Sequence, residues 1–234
     1  MTIEILYSDF LLYGDRGNVE YLEKTFGSEN IVKTEINDTP YFTEHPVDFI
    51  YMGPMTEHQL QLATDRLTPH RDRLKELIEG GTYFLVVNSA LEIFGDYIEV
   101  ENGVRLKTLK LLPFTTKRNM RDRHDVAVLG TYGDLKIMGY DARFTEQYGN
   151  ETMPFLQVER GHGFNRKSKL EGIHYKNFFG TNLMGPILVI NPPLMKLFKQ
   201  ALAGNGDLPF EKDAMEAYQI RLNKFSNEKE FLKQ

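Results

Sequence analysis

Asn88 stands at the apex of a segment with the form of a reactive site. Gly81-Thr-Tyr-Phe-Leu-Val-Val-Asn88-Ser-Ala-Leu-Glu92-Ile-Phe-Gly95 reads as an apolar strand, a sharp turn and a helix. Such a nucleophile elbow holds the turn residue's side chain above the sheet, next to helix N–H groups that stabilise negative charge. A thiol or hydroxyl placed there attacks a carbonyl carbon when a histidine is close. Asparagine cannot, because its amide nitrogen is not nucleophilic. The 234 residues contain no cysteine to take over, and Ser89, one step on, has a register that turns its side chain away from the apex. The scaffold predicts an enzyme and the reacting atom is missing.

Few other residues offer chemistry. His45, His58, His70, His124, His162 and His174 show no paired ligand spacing, so no metal and no cofactor is expected. Lys117, Arg118, Arg121 and Arg123 form a local basic cluster that reads as a solvated loop. Gly161-His-Gly163 with Asn165-Arg-Lys167 reads as an ordinary turn. Asp15, Arg16 and Asn18 follow the first strand, at the carboxyl edge where α/β proteins bind ligands, although capping and turn duties would also explain the aspartate and asparagine.

Composition narrows the class. A formal net charge of −5 with 26% charged residues lacks the basic footprint of a nucleic-acid binder. No apolar run approaches the roughly 20 residues that cross a bilayer, and the first residues enter a strand without an export-like segment. The absence of cysteine excludes disulfides and fits a cytoplasmic location.

The elements that must position the elbow follow from periodicity. Apolar runs at 2–8, 31–35, 48–52 and 83–87 predict strands; the last is apolar throughout, as in a parallel sheet buried on both faces. They alternate with a turn at 14–18, a helix over 19–26 and one or two helices between 58 and 79 that Gly80-Gly81 closes. Strands are predicted at 126–129, 136–140, 155–159 and 177–181. Helices return at 192–203, with Asn191 as cap and Pro192 and Pro193 in the first turn, and at 211–225; 226–234 reads as a frayed tail. The pattern predicts one α/β domain over 1–234, a mostly parallel sheet flanked by helices.

On these motifs the chain resembles the class I (triad-type) glutamine amidotransferases, in their cobyric acid synthase-like (CobB/CobQ-like) branch. The likeness is greatest to the glutaminase subunits that partner a Mur ligase-like protein in lipid II isoglutaminyl synthase. Tyr13-Gly-Asp-Arg-Gly-Asn18 resembles their Tyr-Gly-Asp-x-Gly-Asn, and Asn88 to Gly95 their Cys-Gly-Gly-Tyr-Gln-Leu-Leu-Gly. Glu171-Gly-Ile-His-Tyr-Lys-Asn177 and Gly180-Thr-Asn-Leu-Met184-Gly-Pro186-Ile-Leu-Val-Ile-Asn191-Pro192 resemble Glu-Gly-x-x-Tyr-x-Asn and Gly-Thr-Tyr-Leu-His-Gly-Pro-Leu-Leu-x-x-Asn-Pro. The resemblance implies a flavodoxin-like domain and a role in cell-wall biosynthesis.

It also implies where the chemistry has gone. Asn88 occupies the cysteine position and Met184 the general-base histidine position, where a thioether cannot accept a proton and reads as an apolar filler of the pocket. Gly53-Pro54-Met55 replaces the Gly-Gly-Gly that supplies an oxyanion-hole N–H, and proline has none. Glu92 replaces a glutamine, and Arg121 aligns with an arginine that binds substrate glutamine.

Three functions remain open. The first is a catalytically inactive structural or regulatory partner of an amide-forming, Mur ligase-like enzyme. A second is a binding module that holds an amino acid or other small amide through Asn88, Ser89, Glu92 and Arg121. The third is an enzyme with a substitute mechanism. Neither nucleic acid nor membrane is expected as a partner.

Overall fold

A computed structural model describes residues 1–12 and 14–227. Tyr13 of the first motif and the tail from 228 lie outside the described residues. Strands β1 (Ile3–Leu6), β2 (Ile31–Thr34), β3 (Phe49–Met52) and β4 (Tyr83–Val87) alternate with helices α1 (Arg16–Phe26), α2 (Glu57–Leu67) and α3 (Arg71–Gly80). Further along run β5 (Tyr97–Glu99), β6 (Arg105–Leu106), β7 (Thr115–Arg118), β8 (His124–Tyr132), β9 (Leu135–Arg143), β10 (Thr145–Tyr148) and β11 (Leu156–Arg160). The remaining strands are β12 (Leu170–Glu171), β13 (Ile173–Tyr175), β14 (Phe178–Thr181) and β15 (Leu183–Met184). The chain then closes with α4 (Ile187–Ile190), α5 (Pro192–Ala203) and α6 (Glu211–Ser226).

The central sheet has the order β13-β14-β4-β3-β1-β2. It is parallel from β14 to β2, with β13 antiparallel at one edge. Successive side chains of a strand face opposite ways, and burial follows that alternation. Ile50, Met52, Phe84 and Val86 join Leu60, Leu67, Leu74 and Ile78 of α2 and α3. Phe49, Tyr51, Leu85 and Val87 join Leu22 of α1 and Leu194 and Phe198 of α5 on the other face.

The α/β expectation therefore holds, with two sheets added to it. An antiparallel sheet of order β12-β11-β8-β9-β15 turns Val128 and Ile137 toward α1 and α5, and Ala127, Leu129 and Met138 toward Tyr218 and Phe225 of α6. A small mixed sheet, β10-β7-β5-β6, stands beside the elbow.

Local expectations need three corrections. α1 begins at Arg16, inside the segment read as a turn. The elbow helix is a 3-10 helix over Asn88–Phe94 rather than an α-helix. Asn191 does not cap α5 with its side chain. Its carboxamide, fully buried, donates to Met138 O (2.7 Å) and accepts from Met138 N (2.8 Å), pairing with the β9 main chain as a neighbouring strand would. Asn191→Leu leaves both Met138 groups buried and unpaired. It is expected to lower unfolding free energy by about 1–3 kcal/mol, read by urea denaturation. By contrast Gly81 ends α3 as expected, in the left-handed conformation (φ 90°), its N–H reaching Ile78 O and Leu77 O.

Candidate functional site

The strand order β2-β1-β3-β4 reverses direction between β1 and β3, and open α/β sheets bind ligands beyond the carboxyl ends of strands at such a point. Leu12 after β1, Met55 after β3 and Asn88 after β4 line a cavity of about 340 Å³ there. Thr56, Ser89, Glu92, Met120, Arg123 and the stretch Ala142 to Thr145 complete the wall with Glu57.

The elbow keeps its backbone. Asn88 has φ 56°, the left-handed turn that lifts a residue off the end of β4, and asparagine tolerates it better than most residues. Its amide does not face a substrate unengaged: Nδ2 donates to Asn182 O at 2.7 Å, and the residue is buried. Ser89 is also fully engaged, since its Oγ donates to Met55 O (2.7 Å) and accepts from Met55 N (2.9 Å). That bond occupies a main-chain N–H of the loop that would serve an oxyanion, and Pro54 has none to offer. Gly53 lies so close to Asp15 and Leu11 that a Cβ would clash with both.

Met184 lies half-buried on β15 opposite Tyr140 of β9. It is not among the residues lining the cavity, so the structure does not place it as the pocket's filler. Gly53 and Pro54 are likewise absent from the lining. Arg121 is 88% exposed, with Glu101 at 3.9 Å, and lies outside the cavity as well. Asn88, Ser89 and Glu92 are thus brought together, while Met184 and Arg121 are not brought to them.

The basic cluster read as a solvated loop divides. Lys117 and Arg118 belong to β7, and Arg118 is buried, its Nη2 donating to Glu92 Oε2 at 2.9 Å. Thr145 Oγ1 donates to the other Glu92 oxygen at 3.1 Å. Burial raises the Glu92 carboxyl above its ordinary value, with Arg118 and Thr145 opposing. On β9, Arg143 and Asp141 share a face and pair at 2.8 Å. Asp141 also meets His124 Nδ1 at 3.1 Å. Although burial raises it, Arg143 and His124 pull Asp141 below its ordinary value.

Behind Asn88 the network continues to Glu171. Its carboxylate accepts from Asn182 N (2.7 Å), Asn182 Nδ2 (3.1 Å) and Thr181 Oγ1 (2.9 Å). Burial nevertheless pushes Glu171 from 4.5 up to about 7. With the folded value above the unfolded one, the folded state binds the proton more tightly. Its contribution to stability is fully present below about pH 4.5 and lost as the pH rises toward 7. Glu171→Gln is expected to remove that decline, read as a flatter dependence of the urea midpoint on pH across the window.

Asp15 shows the same physics nearer the first motif. It caps nothing with its side chain. It accepts from the Tyr51 hydroxyl and from Asn18 Nδ2 (2.9 Å), and burial pushes it up to about 6. Arg118 as an internal partner, Arg143, Asn182, Thr145 and Glu171 were not among the candidate site residues. Glu171 and Asn182 lie within the quoted motifs without a role read for them, and for Arg143 the local signal is Asp141 at i−2 of a strand, opposite charges on one face. Among the described residues no group of three or more His, Cys, Asp or Glu is placed to hold a metal, and no helix is long and apolar enough to cross a membrane.

This architecture is that of the class I glutamine amidotransferases. A crystal structure of glutamine amidotransferase superposes with a TM-score of 0.59 at 12% identity, covering 86% of this chain and 98% of that one. PurLQS from Thermotoga maritima gives 0.54 at 12% identity, with 94% and 98% covered. At such identities the likeness speaks for the fold alone. Residues 3–191 match the CobB/CobQ-like glutamine amidotransferase domain, and the chain belongs to that family.

Two curated relatives are similar along most of their length. The lipid II isoglutaminyl synthase (glutamine-hydrolyzing) subunit GatD of Staphylococcus aureus (strain N315) is 32% identical over 216 residues, which cover 90% of this chain and 88% of that protein. The subunit of the same name from Streptococcus pneumoniae (strain ATCC BAA-255 / R6) is 26% identical over 211 residues, 83% and 77% of the two chains.

Proposed function

We propose that this chain is a member of the family that does not hydrolyse glutamine and instead serves as a structural or regulatory partner of an amide-forming, Mur ligase-like enzyme in the cytoplasm. The observation that carries this reading is the state of the elbow. Its backbone turn is intact at Asn88 (φ 56°), yet the residue there is no nucleophile and its amide is bound to Asn182 O. The neighbouring Met55 N–H, moreover, is taken by Ser89. A fold preserved around an inert apex keeps its surfaces while giving up its reaction. The relatives' names, which describe a subunit of an isoglutaminyl synthase, support a partner of the amide-forming type.

Purification of the tagged chain from its native cells tests the reading, with ammonia release from glutamine assayed before and after addition of whatever ligase accompanies it. The expected result is a stoichiometric complex with an ATP-dependent ligase and no ammonia above background in either case. Isolation of the chain alone would count against the partner role. Turnover abolished by Asn88→Ala or Ser89→Ala would overturn the loss of catalysis.

A further inference from the structure

The bond that holds the Asn88 amide does not end at Asn182. The peptide group whose oxygen accepts from Asn88 Nδ2 (2.7 Å) also carries the N–H of Leu183, which donates to Thr181 Oγ1 at 3.1 Å. That hydroxyl donates in turn to Glu171 Oε2 at 2.9 Å. Every link points the same way, from the elbow's apex toward the carboxyl, and every residue along it is buried. In a dry interior such a chain polarises, each bond strengthening its neighbours by roughly 10–30%. A charge on the final acceptor roughly doubles the strength of the last bond, so ionised Glu171 tightens the whole row.

The other carboxyl oxygen can be satisfied in two ways. Asn182 Nδ2 donates to Glu171 Oε1 and to Gln147 Oε1, both at 3.1 Å, while Asn182 Oδ1 and Gln147 Nε2 have no hydrogen-bond partner within the protein. Turning both amides over exchanges their oxygens and nitrogens. Asn182 Oδ1 then accepts from Gln147 Nε2 and from a protonated Glu171, with as many groups paired as before. The same heavy-atom positions therefore accommodate the carboxyl in either protonation state.

The charges that act on Glu171 are Arg143 and Asp141 of β9, which pair with one another and oppose in sign. His124 of β8 bonds Asp141, and the His162 ring lies 5.8 Å from that of His124. Burial outweighs these charges and the hydrogen bonds together, which places the titration of Glu171 at about 7.

We propose that Glu171 is a pH-sensitive latch on the apex of the elbow: ionised, it draws the relay through Thr181 and Leu183 tight and holds the Asn88 amide against Asn182 O, and on taking up a proton it slackens the relay and loosens that amide at the cavity wall. The amide is thus latched above the midpoint and loosened below it. The latch goes beyond the partner role and is read on the isolated full chain, so its failure leaves that role untouched.

Nuclear magnetic resonance of the isotope-labelled chain, in a pH series spanning neutrality, is the test. The Asn88 side-chain amide protons, identified by their loss in Asn88→Asp, are expected to move downfield as the pH rises, with the same midpoint as the Glu171 carboxyl carbon. Thr181→Val cuts the relay while leaving Glu171 in place, and is expected to abolish the Asn88 response while the carboxyl carbon still titrates. Should that variant not fold, Glu171→Gln carries the comparison, with an Asn88 signal expected to stay flat across the series. An Asn88 signal in the unmodified chain that does not follow the Glu171 midpoint, or a response that survives in either variant, overturns the proposal.

Discussion

Asn88→Cys combined with Met184→His is expected to leave glutamine hydrolysis at background. In hydrolases of this type, removing the nucleophile or its base alone lowers turnover by about 10⁶, because these residues act as a unit. Restoring both residue types restores neither the unit nor its surroundings. Met184 lies half-buried opposite Tyr140 and does not line the cavity at residue 88, so a histidine there starts outside the cavity. The developing oxyanion is also offered no free donor by the loop at 53–55: Met55 N–H is bound to Ser89 Oγ at 2.9 Å, and Pro54 has no N–H. Each missing donor is worth about 10²–10³ in turnover. Adding Ser89→Gly to the double variant frees Met55 N–H and is expected to raise any residual hydrolysis by about 10², read as ammonia release per enzyme. A double variant that turns over freely would show that the elbow's surroundings had never lost their competence.

Arg118→Met is expected to destabilise the fold by about 3–5 kcal/mol. Glu92 and Arg118 are 4% and 7% exposed and meet at 2.9 Å, linking the elbow helix to the small sheet across 26 residues of sequence. Removing the guanidinium strands the carboxyl of Glu92, whose remaining hydrogen bond comes from the hydroxyl of Thr145, with the Arg143 charge farther off. Burial already raises the Glu92 carboxyl, so the orphaned group is expected to take up a proton, which limits the loss at low pH. Glu92→Gln with Arg118→Met removes both charges and is expected to recover most of the deficit, since a buried pair and a well-packed neutral replacement differ little. Thermal and urea unfolding of the two variants at neutral and mildly acid pH measures both effects. Equal losses in the single and double variants would mean that packing, not the unpaired charge, accounts for the destabilisation.

Arg118 also shows where the sequence stops being readable. Strand β4 (Tyr83–Val87) and helix α5 (Pro192–Ala203) emerge at their observed bounds because apolar runs and helix-end residues announce them locally. Strand β7 alternates buried and exposed residues as any strand does, but its buried side chains are Thr116 and Arg118. A period-2 pattern written in polar residues leaves no hydrophobic signature, and β10, which buries Thr145 and Gln147, is silent for the same reason. The elbow was legible because its chemistry is local. Its inner lining was not, because Asn88 and Asn182 are 94 residues apart, and Arg143 is set by Asp141 and by carbonyls 20 and 21 residues on.

The two hydrogen bonds between Ser89 and Met55 tie down one side of the cavity. It fastens the loop after β3 to the elbow at both main-chain groups of one residue, immediately before Thr56, whose hydroxyl and partner Gln59 form the capping box that starts α2. One lip is therefore held at its root by a helix start and along its length by a serine. Elsewhere on the wall no such tie is present among Met120 and Arg123, which are exposed, and Phe144. Met120 and Arg123 thus bring a sulfur and a guanidinium to the side of the cavity that neither hydrogen bond ties down.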